Sequence, residues 1–434
     1  MKTHFIRTII ITFLCLASYS YAGPNTVTMK DGQQLSYEQL LANNKMAGLS
    51  LAVIDNYKVV YSHAAGVKEV NKADKIDMNT AFSAGSISKS ITGVIAIMLA
   101  EQGILELDVP VDRYLKRWRI PNSPFTEYRK ITLSDLLSHT AGTTQTGFAH
   151  YSLGDAVPTI IDSLNGHKTH DDEYKLELIS QPGTRWKYSG GGYTIAQVAI
   201  EDVTGKSFAQ LAEEMIFRPL GMNNTTMFQH GETKFLTNVA KAHNRLKVVD
   251  TGIPVLPQIT AAGMWTTPLD MTKLVIDIQK ALVNKKSIII SNWVAKKMTK
   301  VHTLETTGGW GLGWMRFQAN ANLDWFSHSG YNNGIGGLLM ASMVDGRGII
   351  IFGNGHHWPS RVPTINIIVG SITKRLNWYK PIGTGSKKPN EALISKMTGT
   401  YLNLTNSFFS PFGNVVRIEQ QGNKLLLIKG KRKG

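Results

Sequence analysis

Cysteine is nearly absent: Cys15 is the only one in 434 residues, and it lies in an N-terminal apolar stretch. This excludes thiol catalysis and cysteine-ligated zinc. If the N-terminal stretch is removed, no disulfide can form and packing alone must hold the fold. There is no Gly-X-Y period, heptad run or internal repeat, so fibrous classes are excluded. There is also no Gly-x-Ser-x-Gly elbow, which disfavours an α/β-hydrolase. Charged residues are only 18% against 42% hydrophobic, so a large core forms and global disorder is excluded. Nine Trp and 40 Gly suit an enzyme with many turns and close backbone contacts. The length allows two or three domains, or one large two-lobed unit.

Residues 1–22 read as a secretory signal peptide. Lys2 and Arg7 form the positive end, Ile9 to Leu16 a short apolar core, and Ser20-Tyr21-Ala22 a small-x-small cleavage site. The core is short for a membrane anchor, and Thr12-Phe13-Leu14 is a poor lipobox before Cys15. Export, to the periplasm or outside the cell, is therefore expected. Without these residues the net charge is +14. Behind a signal peptide, such a charge fits contact with an anionic envelope surface better than nucleic-acid binding. Lys429, Lys431, Arg432 and Lys433 form a basic tail, read as a solvated end.

Residues 46–54 and 58–66 read as a hairpin around Asp55-Asn56. Residues 87–102 read as a helix closed by Gly103. Helical stretches follow between 130 and 290, one from about Tyr193 to Val203 with Gly205 ending it, another from Thr267-Pro268-Leu269-Asp270. Trp310–Phe317, Gly334–Met343 and Gly348–Gly353 read as consecutive strands, and 357–376 as a last helix. The expected fold is thus mixed α/β (α+β): an antiparallel sheet built from both chain ends, with a mostly helical lobe, roughly 105–300, inserted between them. Residues 381–390 read as a linker. Met397–Leu404 and Val415–Ile428 read as two strand-like runs in a short C-terminal β segment, 391–434.

Ser86-Ile87-Ser88-Lys89 places a hydroxyl and an amine on one helix face. The lysine can take the serine proton only if desolvation lowers its pKa. From Met78 to Ala100, Lys89 is the only charged residue, and Ile87, Ile91, Val94, Ile95, Met98 and Leu99 make this a central, buried helix. Free N–H groups at its start suit an oxyanion. The pattern alone is weak, since Ser371-Ile372-Thr373-Lys374 repeats it. There Arg375 follows and Lys374 reads as a solvated helix end, so Ser371 is read as structural. In Tyr188-Ser189-Gly190-Gly191-Gly192-Tyr193 the glycines allow close backbone approach. The tyrosine becomes an acid or base if a cation lowers its pKa. His328-Ser329-Gly330-Tyr331 reads as a polar strand end along which a substrate could lie.

Three further signals are set aside. Thr204-Gly205-Lys206-Ser207 lacks the first glycine of a P-loop. His167, His170, Asp171, Asp172 and Glu173 lack the spacing of a hydrolytic zinc site. His356-His357 cannot both face one ion from a strand end.

Taken in order, Ser-x-x-Lys, Tyr-Ser-Gly and His-Ser-Gly resemble the serine β-lactamase and penicillin-binding superfamily, nearest its class C-like branch with D-peptidases and esterases. Leu136–Gly142, Ala261–Thr267 and Gly311–Trp314 support this over roughly residues 35–375. The resemblance implies a β-lactamase/transpeptidase-like fold and a serine hydrolase domain over 23–380. The C-terminal segment is similar to a cut-down version of the small β-domain of some family D-peptidases. It implies Ser86 as the acylated nucleophile, Lys89 as its proton acceptor or electrostatic partner, and Tyr188 as proton shuttle to the leaving group and aid to the deacylating water. His328 stands where relatives have lysine. The backbone N–H groups of Ser86 and Tyr331 would form the oxyanion hole, with Gly190, Ser329 and Gly330 at the substrate. No metal or organic cofactor is implied, and the partner is a small-molecule or peptide substrate. Gly190 replaces an asparagine that contacts acylamide side chains, and His328 makes the carboxylate-binding charge pH-dependent. Both argue against an efficient β-lactamase and are compatible with ester or D-amino-acid peptide hydrolysis. A carboxylesterase and a non-catalytic binding protein are the rivals. Oligomeric state is left open.

Overall fold

A computed structural model describes residues 25–166, 176–303, 308–320, 323–378, 399–402, 415–421 and 424–429. Residues 1–22, read as a signal peptide, residues 381–390, read as a linker, the His167–Glu173 cluster and the basic tail beyond Lys429 lie outside the described residues. No described helix is long and apolar enough to cross a membrane.

The expected hairpin forms from β1 (Gly48–Asp55) and β2 (Lys58–Gly66). Asn56 and Tyr57 both take positive φ at its turn, as a tight two-residue hairpin requires. The other end of the chain supplies β3 (Gly308–Trp310), β4 (Met315–Asn320), β5 (Leu323–Asn332), β6 (Ile335–Ser342) and β7 (Gly348–Asn354). They form one antiparallel seven-stranded sheet in the order β2-β1-β7-β6-β5-β4-β3. The chain ends meet where β1 pairs with β7, with Leu51 opposite Ile351.

Both sheet faces are buried, as the near-continuous apolar runs of β1 and β7 require. Leu49, Leu51, Ile349, Ile351 and Trp325 face the helix Tyr37–Asn43 and the last helix, α5 (Val362–Arg375). Phe326, Ile350 and Phe352 face the larger core. That core holds α1 (Ser88–Glu101), α2 (Gly190–Thr204), α3 (Pro268–Leu282) and α4 (Asn292–Thr299). In α1, eleven of fourteen residues are buried, so it is the central helix its composition predicts.

Four expectations need correction. Trp310–Phe317 is not one strand: it divides into β3 and β4 around Gly313, whose φ is +86°. His328–Tyr331 is a polar strand end ahead of β6, as read, but the strand it ends, β5, is not among the strands expected. Its polar run conceals the strand because Ser327, His328 and Asn332 are buried against tertiary partners. Helix α2 begins at Gly190, three residues earlier than read, capped by the Ser189 hydroxyl, which accepts the Gly192 N–H. In the C-terminal segment the second run divides, giving a three-stranded sheet of Gly399–Leu402, Val415–Gln421 and Lys424–Lys429. Ser371 is structural as read: its Oγ accepts the Thr28 N–H at 2.9 Å, and Lys374 is exposed.

Two glycines in helices make opposite predictions. A Cβ on Gly93, inside α1, would lie 2.2 Å from the Leu312 carbonyl oxygen, while one on Gly370, exposed in α5, meets nothing within 4 Å. Gly93→Ala should cost about 2 kcal/mol, because overpacking against backbone outweighs the helix-propensity gain. Gly370→Ala should gain about 0.5–1 kcal/mol. Urea midpoints of the two variants check both signs.

Candidate active site

From Thr80 to Ile97 every residue is buried except Ser86. Ser86 sits on the 3-10 turn Gly85–Ile87 that opens α1. Gly85 takes φ +53°, a conformation costly for other residues. This presses the turn against β5, since a Cβ on Gly85 would lie 2.5 Å from the Tyr331 nitrogen. The Ser88 hydroxyl braces the turn, donating to the Gly85 carbonyl at 2.6 Å and accepting from the Met264 N–H at 2.9 Å.

Lys89 Nζ lies 3.1 Å from Ser86 Oγ and donates to the Ala261 carbonyl at 2.7 Å. It also stands 5.0 Å from the Tyr188 ring centroid and 5.4 Å from that of Tyr193. No carboxylate among the described residues pairs with it. Burial alone pushes its pKa from 10.5 down to about 7. The amine is therefore available as a base near neutrality.

Tyr188 stands at the Ser86 hydroxyl, and that hydrogen bond favours its ionised form slightly. Burial dominates and raises the phenol pKa well above 10. The expectation of a cation-lowered tyrosine is thus overturned: Tyr188 stays protonated and can donate. Its ring packs 4.3 Å from His139, whose Nδ1 accepts the Ser189 N–H at 3.1 Å. His139 takes φ +62°, an unusual backbone state held by this packing.

His328 faces away from the role its position suggested. Its Nδ1–H donates to the Ser329 carbonyl at 2.6 Å, and its ring lies edge-on to Trp310, buried. Burial, and secondarily Lys89, pushes its pKa down to about 3. It is neutral at ordinary pH, so the pH-dependent charge expected of it is not there. A cation stands elsewhere. Arg361, the residue immediately before α5, is buried, and burial lowers its pKa to about 10, so it keeps its charge. Its Nη1 donates to the Gly330 carbonyl at 2.8 Å and its Nη2 pairs with His357 Nδ1 at 2.9 Å. It forms no ion pair among the described residues.

These groups line a cavity of about 500 Å³. Ser86, Lys89, Tyr188, Ser329, Gly330, Tyr331 and Arg361 are at its wall, together with the apolar Phe148, Leu256, Met315, Leu338 and Ile365. Gly330 lets β5 pass close to the nucleophile turn, since a Cβ there would lie 1.7 Å from the Ala84 oxygen. At the end of β5, Asn332 Nδ2 donates to Ser83 Oγ at 2.7 Å and to the Ala262 carbonyl at 2.9 Å. His328 is not part of the wall. Nor is Gly190: it lies beneath Phe148, whose ring atoms would meet a Cβ at 2.6–2.7 Å. The space of the absent asparagine is filled by an aromatic ring. Sequence reasoning missed Phe148 and Arg361, weighed His357 only as a metal ligand, and gave His139 no role. Only the two histidines, inside quoted stretches, carried any signal. Among the described residues no cluster of side chains could hold a metal ion.

Residues 36–372 match the Beta-lactamase family, and the chain belongs to it. It is 29% identical over 203 residues to penicillin-binding protein 4* of Bacillus subtilis, covering 45% of this chain and 41% of that protein. It is 28% identical over 255 residues to the teichoic acid D-alanine hydrolase of Staphylococcus aureus, covering 58% and 59%. The chain thus spans about half the length of these curated relatives. The same fold occurs in the octameric penicillin-binding protein homologue from Pyrococcus abyssi (TM-score 0.63, 21% identity, 91% of this chain and 86% of that one). It also occurs in a D-stereospecific amidohydrolase from Streptomyces sp. (TM-score 0.58, 19% identity, 77% and 96%).

The buried amine sets a stability prediction. Between pH 7 and 10.5 the unfolded chain holds a proton on Lys89 that the folded chain lacks, so this group's contribution rises with pH across that window and is flat below it. Lys89→Met should remove that slope and raise stability at pH 7 by about 1–3 kcal/mol. Urea melts of both proteins at pH 7 and pH 10 test it.

Proposed function

We propose that this chain is an exported serine hydrolase that forms an acyl-enzyme on Ser86 and acts on D-amino-acid peptides or related D-aminoacyl amides. The observation that carries the reading is the 3.1 Å approach of a buried lysine amine, pKa about 7, to a half-exposed serine hydroxyl. Neutral Lys89 takes the Ser86 proton as Oγ bonds to the substrate carbonyl carbon. The tetrahedral oxyanion is held by the N–H groups of Ser86 and Tyr331. Tyr188 donates its phenol proton to the leaving nitrogen and regains one from Lys89, so neither group stores charge. A water then attacks the acyl carbon by the reverse proton path and frees Ser86.

Substrate class follows from the wall. Arg361 supplies the positive charge that His328 does not, and a guanidinium is suited to a planar carboxylate. The names of a relative that hydrolyses D-alanine from teichoic acid and of a D-stereospecific amidohydrolase agree with a D-aminoacyl substrate. One feature favours a carboxylesterase as second reading. Phe148 fills the place of an amide-recognising side chain, leaving an apolar acyl side. Export rests on residues 1–22.

Intact mass after incubation with a penicillin tests the nucleophile. An adduct on the wild type and none on Ser86→Ala is expected, and an adduct that survives Ser86→Ala overturns the assignment. The kcat/KM of turnover should rise with pH through about 7 as Lys89 loses its proton. Tyr188→Phe should lower kcat by roughly 10²–10⁴-fold.

Arg361→Gln should raise KM by roughly tenfold or more for a D-peptide with a free carboxylate, with partial rescue in Arg361→Lys. A neutral short-chain ester should be unaffected. Equal loss on both substrates would show that Arg361 only supports the fold.

A further inference from the structure

At the end of α1 opposite Ser86 the surface has a different character. Residues 278–304 contain Lys280, Lys285, Lys286, Lys296, Lys297 and Lys300 and no acidic residue. Within the same stretch Ile288 is 72% exposed and Trp293 45% exposed. Neither exposure is accidental looseness. The buried Asp277 carboxylate accepts the backbone N–H groups of Ile288, Ile289 and Ile290 at 2.5, 3.0 and 2.9 Å, which fixes the loop between α3 and α4. That loop sends Ile290 into the core and Ile288 outward. Ser291 caps α4, accepting the Val294 N–H, and donates to Glu101 at the end of α1 at 2.5 Å. Along α4, Trp293, Lys296, Lys297 and Lys300 follow one face at i, i+3, i+4 and i+7. Val294, Ala295 and Met298 are buried on the other.

We propose that this face, Ile288 and Trp293 set among Lys285, Lys286, Lys296 and Lys300, docks the protein on an anionic lipid bilayer. The lysines match anionic headgroups, each adding attraction that falls off within a Debye length. An aliphatic and an indole side chain beside them suit the headgroup–acyl boundary. A soluble polyanion would use the lysines but gives no reason to hold Ile288 in water. Only Lys297 has an ion-pair partner among the described residues, Asp108 at 3.5 Å, while Lys285 stands over the Tyr57 ring at 3.8 Å. The other lysines of the face are exposed.

Sedimentation with vesicles tests this. The full chain, a Lys285→Gln/Lys286→Gln/Lys296→Gln/Lys300→Gln variant and an Ile288→Ser/Trp293→Ser variant are compared. The vesicles are phosphatidylcholine alone or with about one-third phosphatidylglycerol. The proteins differ only at this face, so binding through any other segment is common to all. The wild type should bind the anionic vesicles at least about tenfold more tightly than the neutral ones, with affinity falling as salt rises. The lysine variant should lose that difference. The Ile288/Trp293 variant should lose about tenfold even at low salt. Equal binding by all three, or none by the wild type, overturns the proposal. Loss in the lysine variant alone, with the Ile288/Trp293 variant unchanged, also overturns it and points to a soluble polyanion. Turnover of a small ester by both variants, expected unchanged, reports their folding.

Discussion

The amine of Lys89, buried without a carboxylate, is the constraint around which the rest of the site is arranged. A charge in that position would cost several kcal/mol, and the protein avoids the cost by letting the group lose its proton near pH 7. A neighbouring carboxylate would have stabilised the ammonium and removed the base. The surroundings therefore offer only neutral partners: the Ala261 carbonyl, the Ser86 hydroxyl and two tyrosine rings. Sealing the amine from water needs backbone packed against backbone. Gly93 under the Leu312 carbonyl, Gly313 under that of Lys89 and Gly330 under that of Ala84 provide it. The glycines of the sequence are in this sense part of the acid–base machinery.

The same burial acts on three basic side chains with three outcomes. Lys89 is brought near neutrality, His328 is driven fully neutral, and Arg361 stays charged although it too is buried. The difference lies in the intrinsic basicity of each group rather than in the depth of the site. A histidine cannot serve as a permanent cation in this cavity wall, whereas an arginine can. The charge on Arg361 lies across the Gly330 carbonyl from the nucleophile turn, so in the proposed mechanism proton transfer and anion recognition fall to different groups. Tyr188 completes the division by remaining a phenol. In the proposed mechanism it would carry protons between groups without offering a second negative charge beside the oxyanion.

Much of this was readable before any coordinates, for identifiable reasons. The lone charge in a long apolar helix marked Lys89, and a hydrophobic surround was enough to infer its lowered pKa. Capping chemistry placed the start of α3, and a strongly apolar pair of chain-end segments located the sheet. What failed were features fixed by contacts distant in sequence. β5 was hidden because its polar residues are buried by contacts distant in sequence: Asn332 on Ser83 and Ala262, and His328 against Trp310. Gly190 looked like a substrate contact, yet Phe148, forty-two positions earlier, occupies its space. Arg361 follows Pro359-Ser360 before a helix and looks like an ordinary solvated charge. Its placement against Gly330, Tyr331 and Gly336 of β5 and β6, far away in the chain, removes it from water.

The two ends of α1 also explain how a basic protein can carry a mostly neutral active site. Fourteen residues at ~1.5 Å each separate the Ser86 turn from Glu101, about 20 Å in all. This is about twice the distance over which exposed charges act at physiological salt. The lysines of the 278–304 stretch are therefore screened from Lys89 and cannot set its pKa, which burial governs alone. Surface charge can be concentrated at that end without disturbing the base at the other.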